Sequence, residues 1–387
     1  MKKTTIPYGK QDINQSDIDA VIEVLSSDWL TQGPKVPAFE QTIADKCQAT
    51  YAVAVNSATS ALHIANLALG VSKGDMVWTS PITFVASANC ALYCGAKIDF
   101  VDIDLSTGNI SIQALQEKLI LAKQQNCLPK VVIPVHLAGQ SCDMEAIFKL
   151  SQQYNFKIIE DASHAIGGKY QDTPIGNCQY SDVTIFSFHP VKIVTSAEGG
   201  MALTNKAELA KKMCLYRSHG LISDPDEMTE PSHGPWYYQQ VVLGFNYRMT
   251  DLQAALGLSQ LNRLNEFIEK RNLLAQYYDS AFDNTAITSL TPKHYCLSAY
   301  HLYLILLPNT NNNKHKQAII TLREQGIFAH VHYIPVHLQP YYQNLGFKQG
   351  DFPNAEQYYQ RVITLPLYPS LTKKEQQYIV EQVKKIL

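Results

Sequence analysis

The stretch that decides the fold is Ser187-Phe188-His189-Pro190-Val191-Lys192-Ile193-Val194-Thr195-Ser196-Ala197-Glu198-Gly199-Gly200. A strand-like run, Val183 to Phe186, leads into it, and an apolar run from Met201 to Leu203 leaves it. Between them stands one lysine among small and hydroxyl residues. A lysine held at a strand end among apolar groups has a lowered pKa, because desolvation disfavours its ammonium form. Its neutral amine can then attack an aldehyde and form a Schiff base. The two glycines suit a tight turn where backbone must approach another segment closely. A surface-loop lysine is the competing reading, and the rest of the chain decides between them.

Outward from this stretch, strands and helices alternate. Apolar runs at Met76–Thr79, Ile98–Val101, Val131–Val135 and Lys157–Glu160 are separated by helical periodicity near 84–94, 111–123 and 143–153. The strands at 183–188 and 201–203 extend the series. This rhythm predicts an α/β protein with a largely parallel central sheet. Further toward the N-terminus, helices are expected at 16–26 and 36–47, parted by the turn Trp29 to Pro34. A short strand, Ala52 to Val55, runs into Asn56-Ser57-Ala58-Thr59-Ser60-Ala61-Leu62, where small hydroxyl residues open a helix.

Toward the C-terminus the style changes. Ser223 to Pro235 reads as a mobile surface loop, and Met249 to about Tyr278 as one long helical stretch. After it come a strand at Leu302–Leu307, the Asn-rich loop Asn309–Asn313 and a helix near 315–325. A short strand from Phe328 and a terminal helix near 372–386 complete a smaller α+β unit. The expected division is 1–250 for a large α/β domain, with 251–387 supplying a linking helix and the small domain.

Composition narrows the function. At 387 residues the chain can bury two cores. With 32 basic and 34 acidic residues and no basic block, nothing points to nucleic acid or an anionic membrane surface. No run approaches a membrane span, and the basic N-terminus lacks the apolar stretch of a signal peptide. The eight cysteines are scattered, and the one close pair, Cys90 and Cys94, has no second pair to complete a metal site. Free thiols in a reducing compartment follow, so the expected location is the cytoplasm.

Four signals carry chemistry. A strand end running into Ser57-Ala58-Thr59 at a helix start offers backbone N–H groups, hydroxyls and the positive end of a helix dipole to a phosphate. Asp161, after the strand Lys157–Glu160, sits where ligands bind in open sheets, and its charge would favour a protonated ring nitrogen. A plain helix cap is the alternative at both places. Phe84, just past another strand, could lie flat on an aromatic cofactor or belong to the core. His164 and His189 flank the two key positions, as cofactor contacts or as satisfied buried imidazoles. Taken with Lys192, these are the parts needed to hold pyridoxal phosphate.

The chain resembles the sugar aminotransferases of the DegT/DnrJ/EryC1/StrS family, from Gln32-Gly33-Pro34 to Leu365-Pro366-Leu367-Tyr368-Pro369. The Ser-Phe-His-x-x-Lys…Glu-Gly-Gly stretch is its most specific mark. The resemblance implies the pyridoxal-phosphate-dependent transferase fold of type I, aspartate-aminotransferase-like, with a mostly parallel sheet and a smaller C-terminal α+β domain. It also implies pyridoxal 5′-phosphate as cofactor, L-glutamate as amine donor and a UDP-sugar as acceptor. Leu30-Thr31-Gln32-Gly33, Asn56 to Leu62, Pro81-Ile82-Thr83-Phe84-Val85-Ala86 and Arg217-Ser218-His219-Gly220 are most like the branch serving pseudaminic acid biosynthesis. That branch aminates C4 of a UDP-linked 4-keto-6-deoxy-N-acetyl hexose. Enzymes acting on UDP-4-keto-arabinose or UDP-4-keto-6-deoxy-GlcNAc are the alternatives, and a non-catalytic sensor on the same fold is a remoter one.

Position by position, the resemblance implies that Lys192 forms the Schiff base and later shuttles a proton, while Asp161 pairs with the pyridine nitrogen. Phe84 would stack on the ring, and His164, where many relatives have Gln, would contact the phenolic oxygen. Ala58, where Gly is commoner, would hold the phosphate together with Thr59 and Ser187. Asn246, in Gly244-Phe245-Asn246-Tyr247-Arg248-Met249, matches a residue that reaches the phosphate of a second subunit, which implies a homodimer with its sites at the interface. Tyr8, Thr31, Gln32, Arg248 and His332 are the candidates for the sugar nucleotide. Ordinary turn and interface residues are the competing reading for each of these five.

Overall fold

The computed structural model describes residues 5–290, 292–308 and 312–386. Its centre is a seven-stranded sheet built from β2 (Tyr51–Val55), β3 (Met76–Thr79), β4 (Lys97–Phe100), β5 (Val131–Ile133), β6 (Lys157–Asp161), β7 (Val183–Ser187) and β8 (Gly200–Thr204). The spatial order is β2-β8-β7-β6-β5-β3-β4. All strands but β8 point the same way, and β8 runs antiparallel to both neighbours. The expectation of a largely parallel sheet holds. Central strands such as β7 and β8 are buried along their whole length, as strands covered on both faces must be.

Crossover helices cover both faces. They include α1 (Gln15–Leu25), α2 (Lys35–Cys47), α3 (Ala58–Ala68), α4 (Ala86–Tyr93), α5 (Ile112–Gln124), α6 (Met144–Tyr154) and α7 (Ala207–Arg217). Side chains cap α1, α3, α5 and α6, while α2, α4 and α7 start without a side-chain cap. Asn14 forms a capping box with Asp17, and the side chains of Ser57, Ser111 and Asp143 each accept a backbone N–H in the first turn.

The stretch expected as one helix from Met249 to Tyr278 is two, α8 (Asp251–Leu261) and α9 (Leu264–Phe282). The break falls at Asn262 and Arg263. There the Arg263 guanidinium turns back to Asp12 and to the buried Asp17, each at 2.6 Å. Tertiary ion pairing thus sets a boundary that helical periodicity does not reveal. Ser223 to Pro235 lies at the surface beyond a short pairing of Leu221–Ile222 with Gln239–Gln240.

Beyond α9, β9 (Tyr303–Leu306) pairs with the short strand Thr288–Ser289 and with β11 (Val362–Leu365) in an antiparallel sheet. α10 (Asn312–Glu324) follows β9, and α11 (Lys373–Lys385) ends the described chain. Part of the loop expected at Asn309–Asn313 lies outside the described residues. Tyr278, Phe282, Ile305, Leu322, Ile379 and Val383 form a separate apolar core here. The N-terminal β1 (Ile6–Pro7) joins this region, pairing in parallel with β10 (Ile327–Phe328). That pairing sets Tyr8 beside His330 and His332, with ring centroids 5.3 and 5.0 Å apart.

Candidate active site

The carboxyl ends of the parallel strands open into a cavity of about 900 Å3, where open sheets place their ligands. Asp161 is the last residue of β6 and Ser187 the last of β7. β2 hands the chain through Asn56 to Ser57, the cap of α3, whose hydroxyl accepts the Ser60 N–H at 3.2 Å. Of the positions read from the sequence, Tyr8, Ala58, Thr59, Phe84, Asp161, His164, Ser187, Lys192 and His332 all line this cavity. Thr31, Gln32, Asn246 and Arg248 do not line it in the single chain. Thr31 and Gln32 are exposed, and the Gln32 amide donates to Met249 O at 3.3 Å. Asn246 is exposed in a bridge to Ser218, whose hydroxyl accepts from Arg248 Nη1 at 3.3 Å.

Lys192 rises from a loop stitched closed beneath it. Phe188 N–H donates to Gly199 O at 2.9 Å, and Ser196 N–H and Thr195 Oγ1 donate to Phe188 O at 3.0 and 3.1 Å. Phe188, Ile193 and Val194 anchor the loop in the core. Lys192 itself lines the cavity, partly open to it but ringed by protein. Desolvation takes its ammonium group down to about 8, against the opposing pull of Asp161. Gly200 explains its own presence. A Cβ there would lie 2.5 Å from the Ser57 carbonyl and the Ala58 nitrogen, so only glycine lets β8 pass against the start of α3. The close approach read from the two glycines is real: Gly200 approaches the candidate phosphate cradle, and Gly199 packs against Ser196 and Met249.

Asp161 is buried and held from both sides. Its Oδ2 accepts from Ser87 Oγ at 2.6 Å, and its Oδ1 accepts from Ser163 Oγ at 2.6 Å and Ser163 N–H at 3.2 Å. His164 is buried next to it. Its Nδ1 accepts the Ala138 N–H at 3.3 Å, which places the proton of the neutral ring on Nε2, donated to Tyr333 Oη at 3.0 Å. Burial, then Lys192 and His332, hold the His164 pKa well below the ordinary imidazole range. His332 bonds Thr364 Oγ1 through Nδ1 at 2.8 Å, and its pKa is pushed down to about 3 by burial, with His330 and Lys192 adding to it.

Sequence reasoning missed Ser87, Ser163, His301 and Tyr333. Ser163 was open to discovery, being two residues past Asp161 in an Asp-Ala-Ser turn. Tyr333 stands in the same hexapeptide as His332. His301 gave no local signal. It joins the site because the segment leading into β9 carries it to a point 4.4 Å, ring to ring, from His164, with its Nδ1 buried and unpartnered. Among the described residues no His, Cys, Asp and Glu group could hold a metal ion.

A buried amine, an anchored carboxylate and a helix start at one cavity of a mostly parallel sheet define an enzyme that handles a phosphorylated carbonyl cofactor. The chain belongs to the DegT/DnrJ/EryC1/StrS aminotransferase family, whose model matches residues 11–384. It is 39% identical to the spore coat polysaccharide biosynthesis protein SpsC of Bacillus subtilis, over 99% of this chain and 97% of that one. It is 36% identical to a UDP-4-amino-4,6-dideoxy-N-acetyl-β-L-altrosamine transaminase of Campylobacter jejuni, with the same coverage. Among solved structures, it superimposes on Helicobacter pylori PseC, an aminotransferase of pseudaminic acid biosynthesis, with a TM-score of 0.91 and 35% identity, covering 99% of both chains. The sugar aminotransferase Spr1654 of Streptococcus pneumoniae, solved in its PLP form, gives a TM-score of 0.89 at 31% identity, covering 99% of this chain and 100% of that one. The fold is the type I fold of pyridoxal-phosphate-dependent transferases.

The residues present fit that cofactor. A phosphate needs free N–H groups at a helix start, and Ala58 and Thr59 form the first turn of α3 with Ser187 across from them. A pyridine ring needs a carboxylate for its nitrogen and a flat neighbour. Asp161 supplies the first, and Phe84, 60% exposed at the cavity, is placed to be the second.

Proposed function

We propose that this chain is a transaminase that moves the amino group of L-glutamate to C4 of a UDP-linked 4-keto-6-deoxy-N-acetyl hexose. The product is UDP-4-amino-4,6-dideoxy-N-acetyl-β-L-altrosamine, an intermediate of the pseudaminic acid pathway. The cofactor is pyridoxal 5′-phosphate. The reading is carried by one observation, the meeting of Lys192, Asp161 and the Ser57-Ala58-Thr59 helix start in a single cavity. The full-length likeness to altrosamine transaminases supports the choice of sugar.

When bound, the cofactor supplies an aldehyde that takes up the amino group and a ring that draws electrons from the carbon losing its proton. The protein supplies the rest. Lys192 Nζ, with its pKa near 8, would in its neutral form hold the aldehyde carbon, and it would carry a proton to and from substrate carbon. Asp161 keeps the proton on the ring nitrogen, since a nearby opposite charge favours the cationic form. The N–H groups at the start of α3 and the hydroxyls of Thr59 and Ser187 bind the phosphate. Phe84 would stack on the ring, and His164 would contact its phenolic oxygen.

Tyr8, Thr31, Gln32, Arg248 and His332 are assigned to the sugar nucleotide. Asn246 is assigned to the cofactor phosphate of a second subunit, so the working form is a homodimer. Exposed Trp236, Tyr238 and Leu243, near Asn246 in the chain, support that assembly. Eight free thiols suit a reducing compartment, and we place the enzyme in the cytoplasm. Among the described residues no helix is long and apolar enough to cross a membrane.

The second substrate reading is UDP-4-keto-arabinose. It is favoured by 34% identity to a UDP-4-amino-4-deoxy-L-arabinose–oxoglutarate aminotransferase of Shewanella sediminis over the whole chain. The test uses purified protein with pyridoxal phosphate, glutamate and the 4-keto product of a C5-inverting UDP-N-acetylglucosamine 4,6-dehydratase. An axial C4 amine on an L-altro sugar, identified by mass and NMR, is the expected product. Turnover of the keto-arabinose substrate alone would move the assignment to the second reading.

A further inference from the structure

The carboxylate at the end of β6 is the terminus of a hydrogen-bonded chain that begins beside Phe84. Thr83, Ser87 and Asp161 are all buried, with 2%, 0% and 5% of their surfaces exposed. Ser87 Oγ lies 2.6 Å from Asp161 Oδ2 and 2.7 Å from Thr83 Oγ1. A serine has one hydroxyl proton, and a carboxylate only accepts. Ser87 therefore spends its proton on Asp161. Thr83 then donates to Ser87 Oγ, and the Phe84 carbonyl, at 3.4 Å from Ser87 Oγ, is the longer alternative partner. On the other oxygen, Asp161 Oδ1 already accepts twice from Ser163. The acceptor capacity left on the carboxylate is chiefly at Oδ2, beside the Ser87 bond, and Asp161 lines the cavity.

We propose that Thr83 and Ser87 are positioning residues that fix the Asp161 carboxylate against the cofactor's ring nitrogen, so that the proton stays on that nitrogen. This rests on the reading above that Asp161 faces that nitrogen. Hydrogen bonds to a carboxylate favour its charged form, and such bonds are stronger when one partner is ionised. A carboxylate held by three donors keeps one orientation toward a pyridine nitrogen. The same chain ties the loop carrying Phe84, which adjoins Thr83, to the strand carrying Asp161. The ring's flat neighbour and its nitrogen anchor are thereby set by one connected structure.

The test loads wild-type protein and the variants Ser87→Ala, Thr83→Val, Thr83→Ser and Asp161→Asn with pyridoxal phosphate labelled with 15N in its ring. The nitrogen's chemical shift reports its protonation directly, independently of turnover. Cofactor dissociation constants and steady-state kinetics with glutamate accompany it. Ser87→Ala should move the ring-nitrogen shift toward the unprotonated position and lower kcat about tenfold, with KM for glutamate within a factor of two. Thr83→Val, which keeps the shape but loses the donor, should show the same changes in smaller measure, and Thr83→Ser should restore them. Wild-type shift and kcat in both Ser87→Ala and Thr83→Val would overturn the proposal. If Asp161→Asn also left the nitrogen unchanged, the placement of Asp161 itself would fail. A response to Asp161→Asn with none to Ser87→Ala would sink the chain alone.

Discussion

A single amine decides what this cavity can do. Burial lowers Lys192 to about 8 from the usual lysine value, so at pH 7 roughly a tenth of it is neutral, against about one part in 3,000 for an unperturbed side chain. Only the neutral form is nucleophilic. The rate at which the apoprotein captures pyridoxal phosphate should therefore rise with pH and level off above a midpoint near 8, as followed by stopped-flow absorbance. A flat profile between pH 6 and 9 would mean that another group is the acceptor. Asp161 matters through charge. If it faces the ring nitrogen as proposed, replacing it with Ala should slow turnover by roughly 10³-fold or more, several kcal/mol of transition-state stabilisation. A loss below tenfold would reduce it to a structural cap. Both residues were legible in the sequence, because a lone lysine after a strand and an acid at a strand end carry their chemistry locally. His301 was not, since only the fold brings the segment before β9 beside His164.

At the scale of elements, β8 meets the start of α3, the proposed phosphate cradle, at Gly200. Gly200→Ala would drive a methyl group into the Ser57 carbonyl, so backbone must shift. The expected result is a loss of about 1–3 kcal/mol in stability, as for other overpacked sites, with a cofactor affinity reduced at least tenfold. Denaturant titration and equilibrium dialysis measure the two. A stable variant with normal affinity would show that the cradle does not depend on this contact. The alternation of strands and helices was readable here because crossover strands are continuous apolar runs with capped helices between them. The reversed direction of β8 was not, for direction depends on pairing rather than on composition. Nor was the break between α8 and α9, which is made by Arg263 reaching Asp12 and Asp17 some 250 residues away in the chain (separations of 251 and 246).

Across the whole molecule, the cavity is assembled from distant segments. Tyr8 arrives through the pairing of β1 with β10, while the phosphate cradle, Asp161 and Lys192 come from the central sheet. Asn246 and Arg248 remain outside the cavity of their own chain, and the exposed apolar side chains near them in sequence include Leu243, 78% exposed. The protein should sediment as a dimer, and Leu243→Asp should shift it toward monomer with a parallel loss of activity. A fully active monomer would end the shared-site reading. Within one chain, the residues proposed for the cofactor sit in short stretches with their own local signals, whereas those proposed for the sugar nucleotide are scattered from Tyr8 to His332.

The most direct measurement reduces the holoenzyme with borohydride, which fixes the bond between cofactor and protein, and maps the modified peptide by mass spectrometry. A phosphopyridoxyl group on Lys192 and on no other lysine is the expected result. Modification elsewhere, or none at all in protein saturated with pyridoxal phosphate, would contradict it.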